Sequence, residues 1–450
     1  MRSLQDLIIR SKRIVLPDGV RAAAIQVSAG RITAIDEDPY IASDHPSIDA
    51  GECVVLPGLV DTHVHMNDPG RADWEGAEHA TAAAAAGGIT TVVDMPLNSV
   101  PSTTTVRALE AKRRALEGRC AVDVGLWGGV VPGNVADLAP LAREGVLGFK
   151  CFLAPSGVDE FEHVESRDLR DALPHLAHLG LPLLVHAESP ARLLTPDSDA
   201  PCKYSTWLAS RPPAAEQEAI DLLISLADEH RTDIHIVHLA SADAIASLRT
   251  ARRNGVPITV ETCPHYLTFA AEDIRDGATA FKCAPPIRER AHREGLWQAL
   301  RDGDIDLVAT DHSPAPPSMR CLETGDFIHA WGGIASLQLA LSIVWSGAAE
   351  RNIPIQRVVD WMAAAPARLA GLSGRKGSIA IGADADLAFW DPDAEFIVDP
   401  SLLHHRHPVT PYARMTLRGR VRKTMLRGEI IYDDGVLLSR TSGRMITSAA

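Results

Sequence analysis

Two histidines separated by one residue, His63 and His65, are the first groups in this sequence that could share a metal ion. They follow an apolar run that predicts a β-strand, and alternate residues of a strand point to the same face, so both imidazoles can reach one ion. Further groups that could bind a metal, or be converted into a ligand, also stand at the ends of apolar runs: Lys150, His186, His238 and Asp311. Together the six predict a centre with two divalent ions.

Lys150 is the unusual member of this set, because an ammonium group does not bind metals and is costly to bury. Burial and nearby cations lower the pKa of a lysine, which leaves a neutral, nucleophilic amine. Such an amine can take up carbon dioxide and become a carbamate. The two carbamate oxygens could bridge two ions about 3.5–4 Å apart, the spacing that activates a hydroxide between them. We therefore expect a carboxylated Lys150.

The expected ligands divide into two groups. His63, His65 and Asp311 would hold the first ion, and His186 and His238 the second. Zinc suits these ligands best, with iron, cobalt or manganese as alternatives. Each residue alone has a plainer interpretation: a strand-end histidine is usually a hydrogen-bonded polar residue, a lysine can extend to solvent, and an aspartate can cap a helix. The coincidence of six such groups on five predicted strands favours the metal site.

The elements that must position these groups form a regular series. Eight apolar, strand-like runs alternate with helical stretches: Val54–Val60, Ile89–Asp94, Val122–Trp127, Val146–Phe152, Pro182–Val185, Ile234–Val237, Pro257–Val260 and Ile305–Ala309. Such a series predicts an α/β fold, a (β/α)8 TIM-like barrel with functional residues at the carboxyl ends of its strands. The alternative is a doubly wound open sheet, but no GxGxxG motif follows the first strand.

Both ends of the chain have short β-type runs separated by turns, unlike the alternating middle. This pattern predicts a small β-sandwich domain formed from both termini, residues 1–53 and 375–450, around a barrel over residues 54–374.

The composition excludes several classes of protein. The 450 residues contain 44 Lys and Arg against 58 Asp and Glu, a net charge of −14, which argues against nucleic-acid binding. No apolar stretch approaches the roughly 18 residues of a membrane span, and the first residues lack the features of a signal peptide. Seven scattered cysteines without a CxxC pair indicate reduced thiols. We expect a soluble, cytoplasmic enzyme with a small-molecule substrate.

Several motifs resemble the cyclic amidohydrolases of the amidohydrolase superfamily over nearly the whole chain. They are the stretches 58–65, 148–152, 263–266 and 311–314, together with 67–71, 74–76, 94–98 and 330–333. Dihydroorotases have an arginine where this sequence has Asn67, and hydantoinases have a tyrosine where it has Pro155. The remaining motifs are similar to those of allantoinases, apart from Ala284, where that family often has serine.

This resemblance implies hydrolysis of the cyclic amide of allantoin to allantoate, in allantoin degradation, by a homotetramer. It implies that Asp311 transfers the proton, and that Asn67, Arg71 and Ser313 bind the substrate. The open alternatives are a hydantoinase (dihydropyrimidinase), a dihydroorotase, or a metal-free scaffold protein of the same fold. The scaffold alternative predicts gaps among the six ligands, and this sequence has none.

Other histidines have plainer interpretations. His404, His405 and His407 lie beyond the barrel strands and are predicted to be surface residues. His265 follows the seventh strand, and its position is compatible with a structural role or with contact to a metal ligand.

Overall fold

The computed structural model describes residues 6–42 and 44–448. Its eighteen strands are β1 (Leu7–Leu16), β2 (Gly19–Ser28), β3 (Arg31–Asp36), β4 (Ser47–Asp49), β5 (Val54–Pro57), β6 (Leu59–Val64), β7 (Ile89–Asp94), β8 (Asp123–Leu126), β9 (Gly128–Gly129), β10 (Phe149–Phe152), β11 (Leu183–His186), β12 (Ile234–Ile236), β13 (Ile258–Thr262), β14 (Leu307–Val308), β15 (Leu387–Ile397), β16 (Thr416–Leu426), β17 (Glu429–Asp433) and β18 (Val436–Leu437).

The twelve α-helices in the described part of the chain lie mostly between the barrel strands. They are α1 (Ala77–Ala86), α2 (Val106–Leu116), α3 (Val135–Arg143), α4 (Ser166–Leu179), α5 (Tyr204–Ser210), α6 (Pro213–His230), α7 (Ile245–Arg253), α8 (Pro264–Thr268), α9 (Arg290–Asp302), α10 (Ala340–Glu350), α11 (Ile355–Val359) and α12 (Ala365–Leu369). Local signals set their ends: Thr105 caps α2 by accepting a hydrogen bond from Ala108 N, and α4 stops at Gly180, with φ of 63°. None of the helices in the described residues is long and apolar enough to cross a membrane.

Parallel strands form the barrel. β6, β7 and β8 pair in one sheet, and β9 to β14 pair in chain order in a second sheet. The short strand β9 follows β8 after a single residue, Trp127, and pairs with β10. A parallel bridge between Val64 and His312 joins the two ends of the series. The prediction of a (β/α)8 barrel is thereby confirmed, and all six predicted ligands lie in or just after barrel strands.

The two ends of the chain form one nine-stranded sheet, in the order β18-β17-β16-β15-β5-β1-β2-β3 with β4 paired to β1. The predicted terminal β-domain is confirmed, but the predicted single strand Val54–Val60 is wrong. Val54–Pro57 is β5 and pairs with β15, whereas the barrel begins at Leu59. Gly58 separates the two strands, and a side chain there would collide with Thr90. The domain boundaries at 53/54 and 374/375 stay a prediction.

A buried ion network joins the barrel to the terminal sheet. The ammonium of Lys376 lies 2.7 Å from Asp123, 2.9 Å from Asp384 and 2.5 Å from Asp386. Arg427 also pairs with Asp123, at 2.6 Å. Burial alone would lower the pKa of Lys376, but the three carboxylates outweigh it and raise that pKa. The three aspartates could hold a metal ion by spacing alone, but Lys376 already occupies the position of the cation.

We expect Lys376→Met to destabilise the protein strongly. Methionine fills a similar volume but leaves three buried carboxylates with Arg427 as their remaining buried cation. Removing one partner of a buried ion pair typically costs about 3–5 kcal/mol. Urea unfolding of the purified variant measures the effect. The control is Lys423→Met, because the Lys423–Asp433 pair has side chains 37% and 39% exposed and should contribute less than about 1 kcal/mol. Equal unfolding midpoints for the two variants would contradict the role of Lys376.

Candidate metal centre and its cavity

His63 and His65 meet Asp311 at the carboxyl end of the barrel. Their Nε2 atoms lie 3.2 Å and 3.3 Å from Asp311 Oδ1. All three side chains are buried, and one candidate ligand atom of each lies within 4.8 Å of the others. Burial alone would raise the pKa of Asp311, but the neighbouring imidazoles of His63 and His65 hold it well below its usual range. An ionised carboxylate facing two imidazoles is a suitable set of ligands for one divalent ion.

His186 and His238 form a second group beside the first. His186 Nδ1 and His238 Nε2 face each other at 3.0 Å, and the His238 ring centroid lies 5.4 Å from that of His63. Burial lowers the pKa of both His186 and His238. Burial thus favours the neutral form of both rings, in which their converging nitrogens can offer lone pairs to a second ion.

Two of these residues have a strained backbone. His238 and Asp311 have φ values of 40° and 47°, in the left-handed region where a residue other than glycine costs of order 1–3 kcal/mol. Each follows the end of a barrel strand, β12 or β14, by two or three residues. Strain of this kind is concentrated at functional sites, and it marks this end of the barrel as one.

Lys150 lies in β10 with its side chain completely buried. Its Nζ has no hydrogen-bond partner among the described residues, and the ring centroid of Phe152 is 4.6 Å away. Burial lowers the pKa of Lys150 to about 8, against smaller opposing effects of Cys151 and Asp311. A buried amine without an acceptor is costly. Conversion to a carbamate would place a negatively charged group on Nζ, and two metal ions could neutralise that charge. The residues present therefore fit a two-ion centre.

Glu261, in β13, supports the first group and was missed by the sequence analysis. Its Oε1 lies 2.5 Å from His63 Nδ1, and its Oε2 lies 3.1 Å from His235 Nε2. Burial alone would raise the pKa of Glu261, but the two histidines hold it at about 2. An ionised carboxylate favours the His63 tautomer with its proton on Nδ1, in which Nε2 can offer a lone pair to a metal.

Glu188 orients a histidine of the second group, His186, as Glu261 orients His63. Its Oε2 accepts a hydrogen bond from His186 Nε2 at 2.7 Å, and Arg211 donates to both of its oxygens. Burial alone would raise the pKa of Glu188, but Arg211 and His186 hold it at about 2. His186 therefore keeps its Nδ1 lone pair toward His238. The one sign of this role in the sequence is that Glu188 follows the predicted ligand His186 by two residues. That pattern is too common to identify a functional residue.

The two groups of predicted ligands line one cavity of about 270 Å³. Ser313 and Ala284 also line it, and Ser313 Oγ donates a hydrogen bond to the Asp311 carbonyl at 2.9 Å. Ala284 presents only a methyl group and backbone. The rest of the wall includes Leu97, Asn98, Phe152, Pro155, Ser156, Trp207, Arg211, Lys282, Cys283 and Trp331. A cavity role for the two tryptophans, Arg211 and Lys282 was not predicted from the sequence.

Asn67 and Arg71, which were predicted to bind substrate, lie outside this lining. Asn67 Nδ2 donates to the Pro314 carbonyl at 3.4 Å. Arg71 donates to Glu160 at 2.8 Å and to the Asn98 carbonyl at 3.1 Å. Either residue could therefore affect substrate binding only indirectly. Arg71 would act through the cavity residue Asn98, and Asn67 through the loop after Asp311.

The prediction that His404, His405 and His407 are surface residues is wrong for His405. Its side chain is buried, and its ring centroid lies 4.8 Å from that of His312, the residue after Asp311. His312 Nε2 lies 3.4 Å from Glu75, whose other oxygen accepts a hydrogen bond from the backbone at position 406. The segment after the barrel thus packs directly behind the candidate centre.

Comparison with known proteins agrees with this architecture. Residues 54–431 match the amidohydrolase family. An allantoinase from Streptomyces avermitilis is 50% identical over 443 residues, which is 98% of each chain. An allantoinase from Arabidopsis thaliana is 43% identical over 97% of this chain and 90% of the plant protein. The solved structure of an L-hydantoinase (dihydropyrimidinase) from Arthrobacter aurescens has a TM-score of 0.92 at 30% identity, covering 98% of this chain and 100% of the other.

Proposed function

The chain belongs to the amidohydrolase family, and we propose that it hydrolyses the ring amide of allantoin to give allantoate. The observation that carries the proposal is the convergence of five metal-competent side chains on one cavity, with the sixth, the buried Lys150, 4.6 Å from the ring of the cavity residue Phe152. The choice of substrate is supported by the allantoinases from bacteria and plants that match nearly the whole chain. Such an enzyme acts in the degradation of allantoin.

We propose that the centre holds two divalent ions, most favourably Zn²⁺, and that Lys150 is carboxylated by CO₂. His63, His65 and Asp311 would bind one ion, His186 and His238 the other, with the carbamate of Lys150 between them. Two ions in this position would lower the pKa of an attacking water and polarise the carbonyl oxygen of the ring amide. The observation that supports carboxylation is the Nζ of Lys150, which has no hydrogen-bond partner within the described part of the chain.

Asp311 is the proposed proton carrier. Its lowered pKa keeps the carboxylate ionised, so it can accept a proton as water adds to the amide carbon. When the carbon–nitrogen bond breaks, Asp311 returns that proton to the departing ring nitrogen. Ser313 fixes the Asp311 backbone by its hydrogen bond, and Glu261 holds the His63 ring toward the Asp311 carboxylate. Proton transfer thus depends on groups that are already oriented.

Substrate preference provides the direct test of this function. We expect the metal-loaded enzyme to show a higher kcat/KM with allantoin than with dihydroorotate or a monosubstituted hydantoin, measured side by side. Pro155 and Asn67 stand where related enzymes for those two substrates have tyrosine and arginine. A higher kcat/KM with the hydantoin would instead favour a hydantoinase, which the similarity to the Arthrobacter aurescens structure makes the second candidate.

The quaternary structure and location belong to the same proposal. On the family resemblance we propose a homotetramer in the cytoplasm. Light scattering after size-exclusion chromatography tests the tetramer, since a monomeric mass of 48.3 kDa would contradict it.

A further inference from the structure

Part of the cavity wall is a tryptophan that contacts two cations. Trp207, in α5, Arg211 and Lys282 all line the cavity. The Lys282 Nζ lies 4.2 Å, and the Arg211 guanidinium 5.3 Å, from the indole ring centroid. The indole is held in place because its Nε1 donates a hydrogen bond to the Cys283 carbonyl at 2.9 Å. The cavity therefore has a fixed aromatic surface beside two positive charges.

One N–H group of the Lys282 ammonium has no acceptor among the described residues. Its Nζ donates to the carbonyls of Ile328 at 3.1 Å and Ala330 at 2.6 Å, and an ammonium has three N–H groups. Among the described residues, no carboxylate lies within ion-pair distance of it. Burial, followed by the charges of Arg211 and Arg320, lowers the pKa of Lys282 to about 8. A buried cation without a counter-ion, in contact with the cavity, favours a ligand that accepts hydrogen bonds.

Arg211, which also lines the cavity, has one guanidinium nitrogen without a hydrogen-bond partner among the described residues. Its Nε and Nη2 are engaged by Glu188, while its Nη1 makes no hydrogen bond within the described chain. The Arg211 carbonyl accepts a hydrogen bond from Arg288 at 3.0 Å, and its side chain is 15% exposed. Glu188 anchors the Arg211 guanidinium and two backbone carbonyls anchor the Lys282 ammonium before any ligand arrives. This anchoring lowers the entropy lost on binding.

We propose that Trp207, Lys282 and Arg211 form the subsite for the exocyclic ureido group of the substrate. The inference rests on the proposed function, in which the ring amide lies at the six ligand residues and the ureido group is the remaining part of the molecule. That group is planar and ends in a carbonyl oxygen and an amide. The plane lies against the indole, and the carbonyl oxygen accepts hydrogen bonds from Lys282 Nζ and Arg211 Nη1.

This arrangement explains selectivity as well as binding. A substrate without the ureido group would leave two desolvated donors without an acceptor, and a site built around hydrogen bonds discriminates strongly against such analogues. A carboxylate at the same place would also pair with the cations. We assign the ureido carbonyl because allantoin, the proposed substrate, has a ureido group and no carboxylate, and because Glu188 already neutralises one of the two cations, Arg211.

The test compares Lys282→Met with the native metal-loaded enzyme on allantoin, unsubstituted hydantoin and hydantoin-5-acetic acid. Methionine keeps the apolar contact with Trp207 but removes the donor. We expect the ratio of kcat/KM for allantoin to that for hydantoin to fall about 10- to 100-fold, the effect of one lost hydrogen bond to a charged donor. Bound metal, measured by elemental analysis, should stay at the native level. Lys203→Met, which changes an exposed lysine just before α5, is the matched control and should keep the native ratio.

Each other outcome overturns the subsite. An unchanged ratio, with equal losses on both substrates, would mean that Lys282 only braces the two loops. An unchanged kcat/KM with allantoin beside a large loss with hydantoin-5-acetic acid would assign the subsite to a carboxylate. A native enzyme inactive on allantoin would overturn the proposed function together with the subsite, whereas the first two results overturn the subsite alone. If Lys282→Met does not fold, Lys282→Gln replaces it, because the glutamine amide can still donate to both loop carbonyls.

Discussion

Lys150→Ala is expected to purify with little metal and to lose activity. If the carbamate of Lys150 bridges the two ions, the substitution removes the one ligand common to both. Four imidazoles and one carboxylate remain, but the two groups are no longer held together. Loss of several kcal/mol of transition-state stabilisation corresponds to a rate reduction of about a thousandfold or more. Elemental analysis and kcat with allantoin measure the two effects, and added short carboxylic acids should restore part of both.

The control for this variant is Lys203→Ala, which changes an exposed lysine and should keep native metal content and rate. Mass spectrometry of the native enzyme under non-denaturing conditions should show the added mass of CO₂ when metal is present. A free amine at Lys150 beside two fully occupied metal positions would disprove carboxylation.

The barrel could be predicted from sequence because each of its strands is a short apolar run at a regular spacing. The spacing of apolar runs does not show which sheet each run joins. The run Val54–Val60, which is divided between two sheets, is an example. Its first half pairs with β15, more than 300 residues later in the chain, so no local pattern could have separated it from the second half. The same limit applies to Asp123 and Lys376, whose ion pair joins residues 253 positions apart.

The candidate ligands could be predicted because metal-binding side chains are rare in apolar strands. The residues that orient them could not, because their partners are distant in sequence. Glu261 reaches His63 across 198 positions, and His405 reaches the ring of His312 from beyond the barrel. Conversely, Arg71 lies near a predicted ligand in sequence, but its guanidinium turns to Glu160. Proximity in sequence was a poor guide to the cavity wall.

Asp311→Asn is expected to lower kcat by about 10²–10⁴, the usual contribution of a general base. Asparagine keeps the shape and one oxygen but removes the charge and the proton acceptor. Metal content should fall less, because the four histidines and the proposed carbamate of Lys150 would still hold the centre. The native activity should also decline toward acid pH. The depressed pKa of Asp311 keeps this carboxylate ionised until the pH is low, and the apparent pKa will belong to the coupled site.

The decisive measurement is kcat of Asp311→Asn at saturating metal, with His265→Asn as the second variant. His265 is buried, neither of its ring nitrogens has a partner among the described residues, and burial lowers its pKa to about 4. His265 is the alternative candidate for the proton carrier, because the Asp311 carboxylate acts on its pKa and opposes the effect of burial. If Asp311 carries the proton, His265→Asn should retain most of the native kcat while Asp311→Asn does not. A kcat for Asp311→Asn within tenfold of native, with a large loss in His265→Asn, would transfer the role to His265.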